Sequence, residues 1–333
     1  MKIVIVKTSA LGDIIHAMVV LQFIKLWIKD VDIDWIVEER YKGLLESHPD
    51  INIVHTVNIK EAKEKKSLSL LVRQLIKVRK IGAYDIVIDM QGLIKSAVLS
   101  RIIPSRMTFG FDKTSIREGI AAIFYSNTLT VDYAENIINR NAALVSKALE
   151  LSITQIDLIN KKPFLYSSKK YLLSTRFDGK KNIVLIPGAS FQSKCYPIDK
   201  FAELTKKIDA NFFVLWGNEN EKIMAKELKS LSVEINIVEK LSLDELVSFI
   251  SQMSLVIGSD TGPTHMAWSL NIPSITLFGP TPGYRNTFET DINKYIESKS
   301  NVNPLKINKN DHSIKDIRLE DIIKMTRYLL KVN

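Results

Sequence analysis

Three short segments combine small residues with groups that can move a proton or hold an anion. The first reads Lys7-Thr8-Ser9-Ala10-Leu11-Gly12-Asp13, directly after the β-branched run Ile3 to Val6. Asp13 stands at a helix start, where free backbone N–H groups and the helix dipole favour a carboxylate. Taken alone, Asp13 is a helix cap. It can also serve as a base if one carboxylate oxygen stays free. The turn lacks the three-glycine spacing that lets a dinucleotide pyrophosphate approach the backbone, which argues against a nicotinamide-dependent enzyme.

The second segment, Pro187-Gly188-Ala189-Ser190-Phe191-Gln192-Ser193-Lys194, follows the run Asn182 to Ile186. Its small residues allow close backbone approach, and Lys194 has the charge to balance a phosphate, although a solvated surface loop has the same composition. The third, Gly258-Ser259-Asp260-Thr261-Gly262-Pro263-Thr264-His265, follows a buried run and opens a helix. Thr261 and Gly262 would present N–H groups at a positive helix end, suited to a pyrophosphate. An unliganded cap is the plain alternative, yet Asp260, Thr264 and His265 add more polar capacity than a cap needs. Glu221, shortly after Trp216-Gly217, is an acid placed to accept from ribose hydroxyls, or simply an ordinary first-turn glutamate.

Such turns need strands to hold them. Ile3 to Val6, Ile33 to Val37 and Asp85 to Asp89 read as strands separated by helices, the signature of a parallel sheet with crossover connections. Periodicity fades between Lys161 and Gly179 and then restarts. Asn182 to Ile186, Phe212 to Trp216, Glu234 to Val238, Leu255 to Gly258 and Ser274 to Phe278 read as a second set of buried strands. The expected division is 1–165, 166–315 and a terminal helical segment 316–333. That segment can pack back across either domain, the N-terminal one included. Ligands of open α/β sheets bind at the carboxyl ends of strands, so a cleft between two such sheets is the expected place for chemistry.

Composition narrows the class. The 333 residues, 46% apolar and 25% charged, suit two folded domains. The single cysteine, Cys195, excludes an internal disulfide and a cysteine-based metal site and suits the cytoplasm. The apolar stretch Ile14 to Ile28 is too short and too interrupted to span a bilayer and reads as a buried helix. The N-terminal run is too brief for a signal-peptide core. The formal charge is +9, and residues 60–80 alone hold eight Lys or Arg against two Glu. That is either a solvated helix face or a surface for an acidic ligand or anionic membrane; no nucleic-acid-binding motif accompanies it. Asp30-Val31-Asp32-Ile33-Asp34 superficially matches a metal-binding Asp-x-Asp, but alternation along a strand sends such carboxylates to opposite faces.

Taken together, Lys7-Thr8-Ser9 with Gly12-Asp13 and His16, Gln91-Gly92-Leu93-Ile94-Lys95-Ser96, Trp216-Gly217, and Ser259-Asp260-Thr261-Gly262 with His265 resemble the bacterial lipopolysaccharide heptosyltransferases, glycosyltransferase family 9. The likeness runs nearly the whole chain, and the first turn is closest to the branch that adds the first heptose. The resemblance implies a GT-B fold, two Rossmann-like doubly wound parallel-sheet domains facing across a cleft. It implies inverting, metal-independent transfer of heptose from ADP-heptose onto the inner Kdo of Kdo-lipid A, with no cofactor. Asp13 matches the general base and Lys194 the lysine that steadies the departing phosphates. Glu221 matches the acid at the adenosine ribose, and Asp260 the holder of heptose hydroxyls. Thr261, Gly262 and His265 fall at the pyrophosphate, and Leu241 and Ser190 also fall among the donor contacts. Lys60, Lys63, Lys65, Lys66 and Arg117 lie where the family meets its acidic acceptor. The implied location is the cytoplasmic face of the inner membrane, in peripheral contact with anionic lipid.

One departure is that the family often carries Thr or Ser where Gly188 and Ala189 stand, so Ser190 offers the only hydroxyl there. A later heptosyltransferase with another acceptor, and a nucleotide-sugar-binding module without catalysis, are the competing readings. The module leaves Asp13 unemployed.

Overall fold

The computed structural model describes residues 1–173 and 179–331. Residues 174–178, within the expected linker, and 332–333, at the end of the terminal segment, lie outside the described residues. The chain divides into two compact units, Met1–Tyr166 and Ser167–Asn333.

In the first unit the elements run β1 Lys2–Val6, α1 Leu11–Met18, α2 Val20–Trp27, β2 Asp32–Glu38, β3 Ile53–Val57, α3 Ile59–Glu64, α4 Leu68–Arg79, β4 Tyr84–Asp89, α5 Ile94–Ile102, β5 Ser105–Phe111, β6 Asn127–Leu129, α6 Ile137–Leu149 and α7 Gln155–Ile159. The six strands form one parallel sheet in the order β3-β2-β1-β4-β5-β6. Ile3 pairs with Ile33 on one side and Ile86 on the other. Strands covered by helices on both faces can be apolar throughout, and Ile3 to Val6 are wholly buried.

The second unit repeats this plan. It runs β7 Asn182–Ile186, α8 Ile198–Lys207, β8 Asn211–Val214, α9 Glu219–Leu231, β9 Asn236–Ile237, α10 Leu243–Ile250, β10 Leu255–Ser259, α11 Gly262–Ser269, β11 Ser274–Phe278, α12 Gly283–Asn286, β12 Asn293–Glu297 and α13 Leu319–Lys331. Its order, β12-β11-β10-β7-β8-β9, is that of the first sheet with each strand in the corresponding place. In both sheets the order reverses direction between the first and fourth strands, the place where open α/β sheets bind ligands beyond the carboxyl ends of their strands. The turns after β1 and β4 lie at one switch point, and those after β7 and β10 at the other.

Some expectations change. The apolar stretch Ile14 to Ile28 falls into two helices, α1 and α2, separated at Val19, whose dihedrals stay helical. The terminal helix contributes to the core of the second unit, where Leu319, Ile322 and Leu329 are buried with Leu204, Phe201 and Ile275. The run to Trp216 ends as a strand at Val214. Asp34 is fully buried, accepting from Tyr84 Oη at 2.5 Å with His55 Nε2 at 3.2 Å, while Asp30 and Asp32 are exposed. The three carboxylates do not converge.

His48 is buried against the edge of Tyr166, and its Nδ1 accepts the Asp50 N–H at 3.1 Å. Burial pushes its pKa down to about 4, the Phe164 backbone offsetting this only in part. Between pH 6.5 and about 4 the unfolded chain therefore binds more protons at this site than the folded one, so stability falls as pH falls through that window. His48→Gln is expected to flatten that part of a melting-temperature profile in acid; a profile unchanged by the substitution would refute the assignment.

Candidate base and donor sites

The turn that carries Asp13 is built from two directions. Helix α1 begins after Ala10, so Asp13 is the third helical residue and not the cap expected from sequence. Its Oδ2 accepts the Ala10 N–H at 3.1 Å, satisfying an orphan donor of the helix start, while Oδ1 makes no hydrogen bond among the described residues. Asp13 is half-buried. Across the switch point, Gln91 Oε1 accepts the N–H groups of Thr8 and Ser9, each at 3.0 Å. Asp89, wholly buried at the end of β4, accepts from the N–H groups of Gln91 and Gly92 and, at 2.6 Å, from Tyr125 Oη. Lys7 is drawn inward, its Nζ donating to the Met90 carbonyl at 2.9 Å.

Glu38, buried at the end of β2, accepts the Lys60 N–H at 3.2 Å and so fixes the start of α3. Burial raises its carboxyl above the usual range against the opposing pull of Lys95, Arg40 and the α3 N–H groups. Sequence reasoning passed over Glu38, although a carboxylate ending a buried apolar strand was a signal for it. Lys60, Lys63, Lys65 and Lys66 are exposed on α3 and the link beyond it, Lys60 paired with Glu64 and Lys65 with Glu61. Arg117 is exposed beside Glu118, whose carboxylate accepts the N–H of Ile94 at the start of α5. No hydrogen bond or ion pair joins Arg117 to the lysines among the described residues.

In the second unit, the turns after β7 and β10 are tied by a buried ion pair. Lys194 Nζ lies 2.8 Å from Asp260 Oδ2, with side-chain exposures of 9% and 12%. His265 Nε2 lies 2.9 Å from Oδ1, and Asn286 Nδ2 reaches Oδ2 at 3.4 Å. Burial alone would raise the Asp260 carboxyl; the charges and hydrogen bonds of Lys194 and His265 outweigh it and hold it well below the usual carboxylate range. A carboxylate has about four acceptor positions, so Asp260 organises the Lys194 cation and its Oδ1, met by His265 alone among these partners, keeps capacity for a further donor. Thr261, the cap of α11, makes no side-chain capping bond, and Gly262 begins the helix with an N–H that has no intrahelical acceptor.

Glu221 joins two further turns. Its Oε2 accepts the Gly217 N–H at 2.6 Å, and a Cβ built at Gly188 would overlap its Cγ and Cδ. Gly188 is thus required by the close approach of α9. Ser190 is exposed in the loop beyond, and Leu241 is half-buried between β9 and α10; neither is joined to the ion-pair cluster by a hydrogen bond among the described residues. Asn286 belongs to the cluster but carried no sequence signal, because only the fold brings α12 to the end of β10.

The profile of glycosyltransferase family 9 (heptosyltransferase) matches residues 72–310. Lipopolysaccharide heptosyltransferase 1 of Campylobacter coli is 44% identical over 99% of both chains. The enzyme of the same name from Escherichia coli K12 is 27% identical over 85% of this chain and 89% of its own. Among solved structures, E. coli heptosyltransferase WaaC with ADP superposes with a TM-score of 0.81 at 22% identity, covering 99% of this chain and all of that one. E. coli ADP-heptose lps heptosyltransferase II gives 0.74 at 17%, covering all of this chain and 99% of that one. The fold is of the GT-B type.

Proposed function

The chain belongs to glycosyltransferase family 9, the heptosyltransferases, and from that premise we propose that it transfers L-glycero-D-manno-heptose from ADP-heptose to the inner Kdo of Kdo-lipid A in lipopolysaccharide core assembly. The observation that carries the reading is the near full-length relationship to a heptosyltransferase 1. It is supported by an acid at one switch point and a cation organised beside a helix N-terminus at the other.

In the proposed reaction the acceptor hydroxyl attacks the anomeric carbon from the face opposite the leaving group, so the anomeric centre inverts. The bond from that carbon to the β-phosphate oxygen breaks, its electron pair leaves with ADP, and the acceptor proton passes to Asp13 Oδ1. Lys194 keeps donors beyond the one given to Asp260, and with the Thr261 and Gly262 N–H groups and His265 it stabilises the charge growing on ADP. Glu221, fixed at Gly217, accepts from the adenosine ribose, Asp260 accepts from heptose hydroxyls, and Ser190 and Leu241 border the donor. Lys60, Lys63, Lys65, Lys66 and Arg117 meet the acidic acceptor. The protein works at the cytoplasmic face of the inner membrane, without a cofactor.

Incubation with ADP-heptose and Kdo-lipid A is expected to release ADP and to add one heptose to the acceptor by mass. Absence of ADP release would favour a binding module; transfer only to an already heptosylated acceptor would make this a later enzyme of the same family. Gly188→Ala forces Glu221 aside and is expected to weaken ADP binding about tenfold, equivalent to about 1.4 kcal/mol. Calorimetric titration with ADP checks this, and wild-type affinity would remove Glu221 from the nucleotide site.

A further inference from the structure

Helix α4 carries more apolar surface than its core requires. Val78 is buried and Leu75 packs against the cluster of Val57, Tyr84 and Leu99, which accounts for the inner face. Leu68, Val72 and Ile76 instead point outward, with exposures of 74%, 43% and 50%. Spaced four apart, they form one ridge spanning roughly 80° of the helix. Single exposed aliphatics are ordinary, but three aligned on one helix face are a contact surface.

The surroundings of the ridge decide what it contacts. Arg73 and Lys80 border it on the outer side, and Lys63 and Lys66 lie on the segment leading into the helix, all four exposed. The two acids of the region, Glu61 and Glu64, are already paired with Lys65 and Lys60. Among the described residues, none of the side chains of Lys63, Lys66, Arg73 and Lys80 makes an ion pair or hydrogen bond. A nucleic acid would meet these cations but gain nothing from aliphatic side chains, since its bases stack on aromatic groups and the ridge has none. An aliphatic ridge rimmed by unpaired cations matches the boundary between anionic headgroups and acyl chains.

We propose that the outer face of α4 docks on an anionic lipid bilayer. Leu68, Val72 and Ile76 enter the headgroup–acyl boundary, and Arg73 and Lys80 lie against lipid phosphates. The ridge and its two cations are distinct from Asp13 and from the residues assigned to the acceptor, and the test uses neither donor nor acceptor sugar, so its failure would leave the transferase reading intact.

Cosedimentation of the full chain with vesicles of phosphatidylethanolamine and phosphatidylglycerol, and with phosphatidylcholine vesicles, separates the contributions. The wild-type chain is expected to bind the anionic vesicles, with an affinity falling as salt rises and a residual part that survives high salt. Leu68→Gln/Val72→Gln/Ile76→Gln keeps helix-forming residues and charge, and is expected to lose about tenfold or more of vesicle affinity, including the salt-resistant part. Arg73→Gln/Lys80→Gln should lose the salt-sensitive part. Leu68→Gln alone, checked by circular dichroism, covers the case in which the triple variant folds poorly. Unchanged vesicle binding in the ridge variants would overturn the proposal. So would equal binding to phosphatidylcholine, or a ridge variant that alters only self-association in sedimentation velocity.

Discussion

Asp13→Asn is expected to lower heptose transfer by about 10² to 10⁴-fold while leaving ADP affinity and melting temperature near those of the wild type. The substitution separates two roles that sequence could not. Asparagine keeps a side-chain oxygen able to accept the Ala10 N–H, as Asp13 Oδ2 does at 3.1 Å, so the helix start survives. What it removes is the basicity of the second oxygen. Asp13→Ala removes both and should add a stability loss of about 1 kcal/mol, the usual cost of losing a bond at a helix N-terminus. Turnover of Asp13→Asn within a few-fold of wild type would reduce Asp13 to a structural acid.

The second large effect is expected at Asp260. Asp260→Ala leaves the Lys194 ammonium buried without its counter-charge, and removing one partner of such a pair costs about 3–5 kcal/mol. Urea unfolding at neutral pH should show that loss, and ADP binding should fall with it because Lys194 is no longer held in place. The sign with pH follows from the direction of the Asp260 shift. A carboxyl held below its unfolded value of about 3.8 stabilises fully above that value and progressively less as pH falls below it. The gap between wild type and variant should therefore hold from neutral pH to about pH 5 and narrow in stronger acid. A gap independent of pH down to pH 2 would show that the carboxylate is not the stabilising form.

The central strands were legible because residues buried on both faces must be apolar: Ile183, Val184 and Leu185 are wholly buried and could be read as a strand from composition. The strands missed, β3, β5, β6 and β12, carry a polar or charged residue among their apolar ones, as in Ile53-Val54-His55-Thr56-Val57 and Asn293-Lys294-Tyr295-Ile296-Glu297. Three of the four are edge strands and β5 lies next to one, where one side faces water and periodicity is weak. The site divides in a similar way. Lys194 and Asp260 were each visible as polar residues in a post-strand turn, but their pairing depends on strand order, which no local pattern records. Asp13 was visible as a helix-start acid; that it is the third residue and not the cap depends on where Ala10 turns. Lys60, Lys63, Lys65 and Lys66 were visible as charge, whereas the ridge beside them was hidden among apolar residues that a helix could equally have buried.

The hydrogen-bond path behind Asp13 bears on which positions can vary as such a chain diverges. Thr8 and Ser9 hang from Gln91, Gln91 from Asp89, and Asp89 from Tyr125. The ring of Tyr125 in turn lies where a Cβ on Gly110 would stand. Any side chain at Gly110 would displace the tyrosine and loosen, link by link, the turn that carries Asp13. Gly110 touches neither sugar nor nucleotide in the proposed reaction, yet drift at that position is constrained together with Tyr125, Asp89 and Gln91, so that the four should change as a set or not at all.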